Sequence, residues 1–222
     1  MDNMLNFNAG ENIYKKSIQI IDSLLENNFK FNNSYSYSER QIIKRVIHAT
    51  SDVNYAETIF FKNNPVEKTV NLIKGKIFKN EPLKIVCDSE MTKAGISKNV
   101  NKKALIDLNC YINNKSLPES AGQTKSAAAI TLAIKEILPD IIVIGNAPTA
   151  LIAALELCAE LKEISNYIPS LIIGMPVGFV GASESKALLY ENHIFSSIGN
   201  FGNLGGSSSA AAAMNALLLE SL

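Results

Sequence analysis

Tryptophan is absent from this chain, only two histidines occur (His48 and His193), and the three cysteines, Cys87, Cys110 and Cys158, lie far apart. Each scarcity closes a class of function. Two histidines and no Cys-x-x-Cys leave no material for a multi-histidine metal centre, a zinc knuckle or a disulfide framework, so no metal site is expected. The cysteines read as buried structural thiols without a functional role. No apolar run reaches the ~18 residues a bilayer-spanning helix needs, and the opening MDNMLNFNAGENIYKK has no apolar signal-peptide core. A cytoplasmic protein with no membrane association is the expectation. Net charge is missing as well, with 21 Lys and Arg against 21 Asp and Glu. That balance gives no global reason to expect nucleic acid or an anionic membrane as partner.

What is present is ordinary globular material. The 222 residues are 47% hydrophobic and 19% charged, enough for one domain with a full core. The charge is uneven: residues 1–125 hold 18 Lys and Arg against 13 Asp and Glu, and residues 126–222 hold 3 against 8. The basic half is suited to an acidic ligand. The abundance of Lys and Asn is compositional and carries no function.

The first 80 residues read as helical. Ile13, Ile18, Ile20, Ile21, Leu24 and Leu25 recur at helical spacing. The polar stretch from Asn27 to Ser38 reads as a loop. Ser38 then reads as the N-cap of a helix through Thr50, with Ile42, Ile43, Val46 and Ile47 on its buried face. Pro65 to Ile73 is a third helix with proline in its first turn. From residue 82 the pattern changes to short, continuously apolar runs at 83–87, 104–108, 140–145, 170–174 and 193–199. Helical stretches at 124–138, 147–163, 182–190 and 206–219 separate most of them. Such alternation implies an α/β fold: a parallel sheet in three layers, helices on both faces, and an N-terminal helical segment.

Three strands run into small-residue loops that open helices: IGNAPTA (144–150), IGMPVGFVGASESK (173–186) and GNFGNLGGSSS (199–209). In a parallel sheet these loops share the carboxyl edge, where ligands bind, and free amides at helix starts favour anions. Together they describe a site for an anionic organic molecule. Nucleotide fingerprints fail: GNFGNLGG does not fit G-x-G-x-x-G, and GQTKS lacks the Gly-Lys pair of a P-loop. His48 lies near the end of its helix with Lys44 and Arg45 on the same face, so neighbouring cations are expected to keep its imidazole neutral. A lone helical histidine is more often structural than catalytic.

RVIHAT (45–50) resembles the histidine motif of the precorrin-8X methylmutase (precorrin isomerase) family. Other segments agree in the same order: SIQIID (17–22), IVCDSEMTKAGISK (85–98), GQTKSAAA (122–129), IGNAPTAL (144–151), GMPVGFVGASESK (174–186) and GNLGGSSSAAAAMNALL (202–218). The resemblance spans about residues 11–219. It implies a single domain of residues 1–222 and an isomerase of cobalamin biosynthesis. Such an enzyme moves a methyl group from C-11 to C-12 of precorrin-8X or cobalt-precorrin-8. It also implies that no external cofactor is needed, that the substrate is an anionic tetrapyrrole, and that the enzyme is a homodimer.

The family histidine falls on His48, as proton donor or acceptor at a ring carbon. Arg45 is expected to hold a substrate carboxylate or tune His48, and Thr124 and Lys125 stand in the family's Thr-Arg-Ser motif. Gly205, Gly206 and Ser207 are expected to supply backbone and hydroxyl donors. Ser17 has two readings, a hydrogen-bond donor in the site or a helix-surface hydroxyl. Asn146 likewise has two, a cap for the 147–163 helix or a ligand contact. Asp88 and Glu90 have two readings, help in ligand tautomerisation or, preferred, capping of the helix after strand 83–87. Lys125 and Asn203 depart from family arginines; at Lys125 the charge survives but the bidentate fork does not. A non-catalytic corrinoid-binding protein is the alternative, and a nucleotide-binding enzyme a third reading.

Overall fold

The computed structural model describes residues 10–97, 101–117 and 122–222. Residues 1–9, part of the stretch read for a signal peptide, and Lys98, the end of the 85–98 segment, lie outside them. In chain order the elements are α1 (Gly10–Leu25), α2 (Phe29–Ser34), α3 (Tyr37–Thr50), α4 (Tyr55–Thr58), β1 (Ile59–Lys62), α5 (Pro65–Lys79), β2 (Leu83–Cys87) and α6 (Glu90–Gly95). They continue with β3 (Ile106–Cys110), α7 (Lys125–Ile137), β4 (Ile141–Ile144), α8 (Pro148–Ser165), β5 (Leu171–Gly174), α9 (Ala182–Glu191), β6 (Ser197–Asn200) and α10 (Ser207–Glu220).

One sheet carries the strands in the order β1-β6-β5-β4-β2-β3. Every pairing is parallel except β1 with β6. Side chains alternate between two cores, as the two-residue period of a strand requires. Ile85, Cys87, Ile141, Val143, Leu171, Ile173 and Ile198 face α1, α3, α5 and α10. Val86, Ile142, Ile144 and Ile172 face α7, α8 and α9. The three-layer α/β expectation holds. α10 lies innermost, buried from Ser209 to Leu218 between the sheet and α3. A helix apolar all round belongs in such a position, and its run of alanines permits close approach.

The N-terminal part differs from expectation in three respects. The Asn27–Ser38 stretch contains a short helix, α2. Asn28 caps it, accepting from Phe31 N at 2.8 Å, and buried Phe31 anchors it. Ser36, not Ser38, caps α3, and it does so in a reciprocal box. Glu39 N donates to Ser36 Oγ, and Ser36 N donates to the Glu39 carboxylate at 2.8 Å. The region read as wholly helical also contains β1, whose four residues pair with β6, more than 130 residues downstream. A run of four apolar-to-basic residues has too little period to be recognised, and its partner is remote in sequence. The third helix runs on past Ile73 to Lys79 and stops at Asn80 in the left-handed conformation. The 104–108 and 193–199 runs begin late, at Ile106 and Ser197.

The cap assignment is testable. Ser36→Ala removes the box and is expected to cost about 1 kcal/mol in urea unfolding, whereas Ser38→Ala stays within about 0.5 kcal/mol.

Candidate active site

α3 owes its orientation to four buried residues, Ile42, Ile43, Val46 and Ile47. His48 follows them in the last turn and sits half-buried at the margin of the core. α1 packs across it. Its Ser17 Oγ lies 2.7 Å from His48 Nδ1, and its Tyr14 ring meets the imidazole edge-on at 5.0 Å between centroids. The Arg45 guanidinium stacks 4.9 Å over the same tyrosine ring and has no ion pair among the described residues. Nε2 of His48 has no hydrogen-bond partner among the described residues, so it is the nitrogen left for a ligand.

The His48 pKa is lowered from 6.5, first by burial and second by the charge of Arg45. The expected second cation is otherwise engaged: Lys44 pairs with Asp22 at 2.9 Å. His48 borders two concavities. One, about 480 Å³, is mainly apolar and lined by Ile13, Ser17, Ile20, Leu24 and Val53 among others. The other, about 290 Å³, is bounded by Arg45, Gly95, Ser208, Ala212 and Asn215.

The three small-residue loops do converge at the carboxyl edge of the sheet. Gly206 N donates to Met175 O at 2.8 Å, and Gly178 N to Asn203 O at 3.2 Å. A Cβ on Gly205 would collide with the carbonyl oxygens of Met175 and Pro176, and one on Gly145 would stand 2.8 Å from Ser207 Cα. Both positions therefore require glycine. No side chain caps α10 at Gly206, and Ser208, not Ser207, lines the His48 concavity. The Ser207 hydroxyl instead contacts Thr92 at 2.9 Å and Ser89 at 3.3 Å.

Asp88 corrects the expected use of the 144–150 loop. It does not cap α6; Ser89 does, accepting from Thr92 N at 3.2 Å. The Asp88 carboxylate reaches across the gap between β2 and β4. There it accepts from the amides of Gly145 (3.0 Å), Asn146 (2.8 Å) and Ala147 (2.8 Å) and from the Thr92 hydroxyl (3.1 Å). The order in which strands are added to the sheet reverses between these two parallel neighbours, which makes their carboxyl ends the usual ligand position. A buried carboxylate already occupies it, so these amides are closed to an external anion. Asn146 does not cap α8, whose N-cap position is Ala147 with no side-chain bond, and its own side chain is exposed.

Thr124 caps α7, accepting from Ala127 N at 3.2 Å, and its hydroxyl lies 2.7 Å from that of Thr149 at the start of α8. Lys125 is exposed beside it, without an ion pair among the described residues. The structure thus gathers His48, Ser17 and Arg45 in one cluster and Asn146, Gly205, Gly206 and Ser207 in a second. Thr124 and Lys125 border the second cluster through Thr149, and no hydrogen bond ties them to His48. Tyr14 was missed, although its i, i+3 spacing to Ser17 places both on one face of α1. The role of Asp88 carried no local signal.

A sequence profile described as precorrin-8X methylmutase matches residues 12–220. The chain belongs to the precorrin-8X methylmutase family. It is 39% identical to the cobalt-precorrin-8 methylmutase of Methanocaldococcus jannaschii over 214 residues, covering 94% of this chain and 93% of the relative. It is 37% identical to that of Salmonella typhimurium over 181 residues, covering 80% and 79%. A crystal structure of the precorrin-8X methylmutase from Thermus thermophilus superposes with a TM-score of 0.78 at 27% identity, covering 94% of this chain and 96% of that one. Methylmutases are isomerases, so membership makes this chain one of them. No helix among the described residues is long and apolar enough to cross a membrane.

Two measurements follow from the geometry. His48, followed by NMR, is expected to titrate with a midpoint below 6.5. Arg45→Met should raise that midpoint only part of the way, because burial is the larger cause. By linkage a depressed folded pKa means stability held above pH 6.5 and lost as the pH falls, a component that His48→Gln should remove. Asp88→Asn presents an amide group to backbone donors and is expected to cost about 3 kcal/mol in urea unfolding.

Proposed function

We propose that the chain converts precorrin-8X to hydrogenobyrinate, or cobalt-precorrin-8 to cobyrinate, by moving a methyl group from C-11 to C-12, with His48 as the proton carrier. The observation that carries this reading is the His48 cluster. Nδ1 is tied to Ser17, and among the described residues Nε2 has no partner and the neighbouring Arg45 no ion pair, at the junction of two concavities. The open nitrogen favours turnover over a purely corrinoid-binding role.

The chemistry needs one mobile proton. Protonating a ring carbon of the conjugated macrocycle concentrates positive character and lets the methyl migrate; returning the proton restores neutrality, so the reaction is a net isomerisation. No external cofactor enters this sequence. In the free enzyme His48 is held neutral by burial and by Arg45. A substrate carboxylate that pairs with Arg45 cancels the cation's effect, raises the His48 pKa and favours proton uptake as the substrate arrives. Ser17 fixes the imidazole orientation, Tyr14 supports Arg45, and the apolar concavity beside α1 receives the macrocycle. Lys125, Thr124 and Asn146, with Gly205, Gly206 and Ser207 at the uncapped start of α10, receive rim carboxylates further along the cleft.

Exposed Ile20 and Leu24 on α1, each 62% accessible, border the apolar concavity, and a second copy of the chain covers them in the homodimer we propose. A cytoplasmic location suits this biosynthetic step.

The test is the absorbance spectrum after mixing the protein with precorrin-8X and, separately, with cobalt-precorrin-8. Wild type should convert at least one of them, and His48→Ala should be slower by about a hundredfold or more. A shifted but static spectrum with both substrates would replace the isomerase with the corrinoid-binding protein.

A further inference from the structure

Among the described residues, one of the largest fully buried side chains is a lysine. Lys186, on α9, has no accessible surface and no carboxylate partner among the described residues. Its ammonium donates to the carbonyl of Leu204, in the segment between β6 and α10. Burial of this kind is costly for a charge, and it pulls the Lys186 pKa down from 10.5 to about 8, so the group still carries its proton at neutral pH.

The packing of the segment does not need this lysine. Asn200 Nδ2 already donates to the same Leu204 carbonyl at 2.7 Å, Gly206 N is held by Met175 O, and Asn203 O is held by Gly178 N. Removing the ammonium therefore orphans no main-chain group. What it does remove is charge. Residues 199–209, GNFGNLGGSSS, contain no ionisable side chain, yet they lead into the uncapped start of α10 and to Ser208 in the His48 concavity. A cation fixed beneath a loop, away from water, acts across a short distance of low dielectric.

We propose that Lys186 is a positioning residue for substrate, acting through segment 201–206 by lending that uncharged loop the positive potential that seats a substrate carboxylate at the start of α10. The inference rests on the reading of the chain as an enzyme of an anionic tetrapyrrole. A buried cation with no acidic partner among the described residues and no structural need matches the exchange of stability for function seen at binding sites.

Two variants test it. Lys186→Met removes charge and donor; Lys186→Gln removes the charge but keeps a donor. Both are expected to fold with melting temperatures at or above wild type, because an uncompensated buried charge is gone. In both, KM should rise about tenfold while kcat changes less than about threefold. Binding of uroporphyrin, an octacarboxylate tetrapyrrole that cannot rearrange, read by its Soret band, should weaken in parallel. A wild-type KM in Lys186→Met, full recovery in Lys186→Gln, or a loss of activity that tracks a loss of stability would each overturn the proposal. A wild type that binds uroporphyrin but converts neither precorrin sinks the isomerase reading alone, and the variants' uroporphyrin affinities then decide the role of Lys186. A wild type that binds nothing sinks both.

Discussion

The burial of α10 is the constraint on which the rest of the molecule depends. From Ser209 to Leu218 the helix is buried, with sheet beneath and α3 above. Only small side chains allow two layers to approach a helix that closely, and Ala210 to Ala213 supply them. The close approach sets α3 at a fixed height over the sheet, with Ile42, Ile43, Val46 and Ile47 turned inward. His48 is thereby delivered to the edge of the stack, next to Ser208 and Ala212. α1 then packs on α3 and brings Ser17 and Tyr14 to the imidazole. The proposed proton carrier is placed by a succession of layers, each resting on the one below.

Electrostatics divides the sheet edge into closed and open parts. Buried amides must be satisfied, and Asp88 satisfies three of them where β2 and β4 part. That carboxylate closes the amides of Gly145, Asn146 and Ala147 to an external anion. The start of α10 has no side-chain cap, and two cations near it, Arg45 beside Ser208 and the buried Lys186 beneath the preceding loop, have no acidic partners among the described residues. In the proposed reading, an anionic ligand is directed to the α10 side, toward His48, because the competing position is occupied.

Much of this was legible in the residues. The strand–helix alternation after residue 82 gave the three-layer fold, because continuous apolar runs and 3.6-residue stripes follow from the local period of each element. The motif singled out His48 as the candidate proton carrier, and the convergence of the glycine loops was legible through the parallel-sheet rule. The misses have a common cause. β1 is four residues long and finds its partner at β6; Asp88 finds its donors some 57 residues downstream. Neither interaction leaves a periodic trace at the position where it begins. Ser36 was mistaken for loop because Ser38 satisfied the same cap pattern, and only the bond to Glu39 separates them.

The amino-acid sequence alone determined most of the elements, the class of fold and the residue types available for proton transfer and anion binding, since these depend on local period and side-chain chemistry. The tertiary structure decided which of those groups are free. It engaged Lys44 with Asp22 and left Arg45 without an acid among the described residues, turned Ser207 inward and Ser208 to the cleft, and buried Lys186 beneath an uncharged loop. Whether a charge or hydroxyl is spent on the fold or held for a ligand depends on contacts between segments far apart in the chain, and those exist only once the layers are packed.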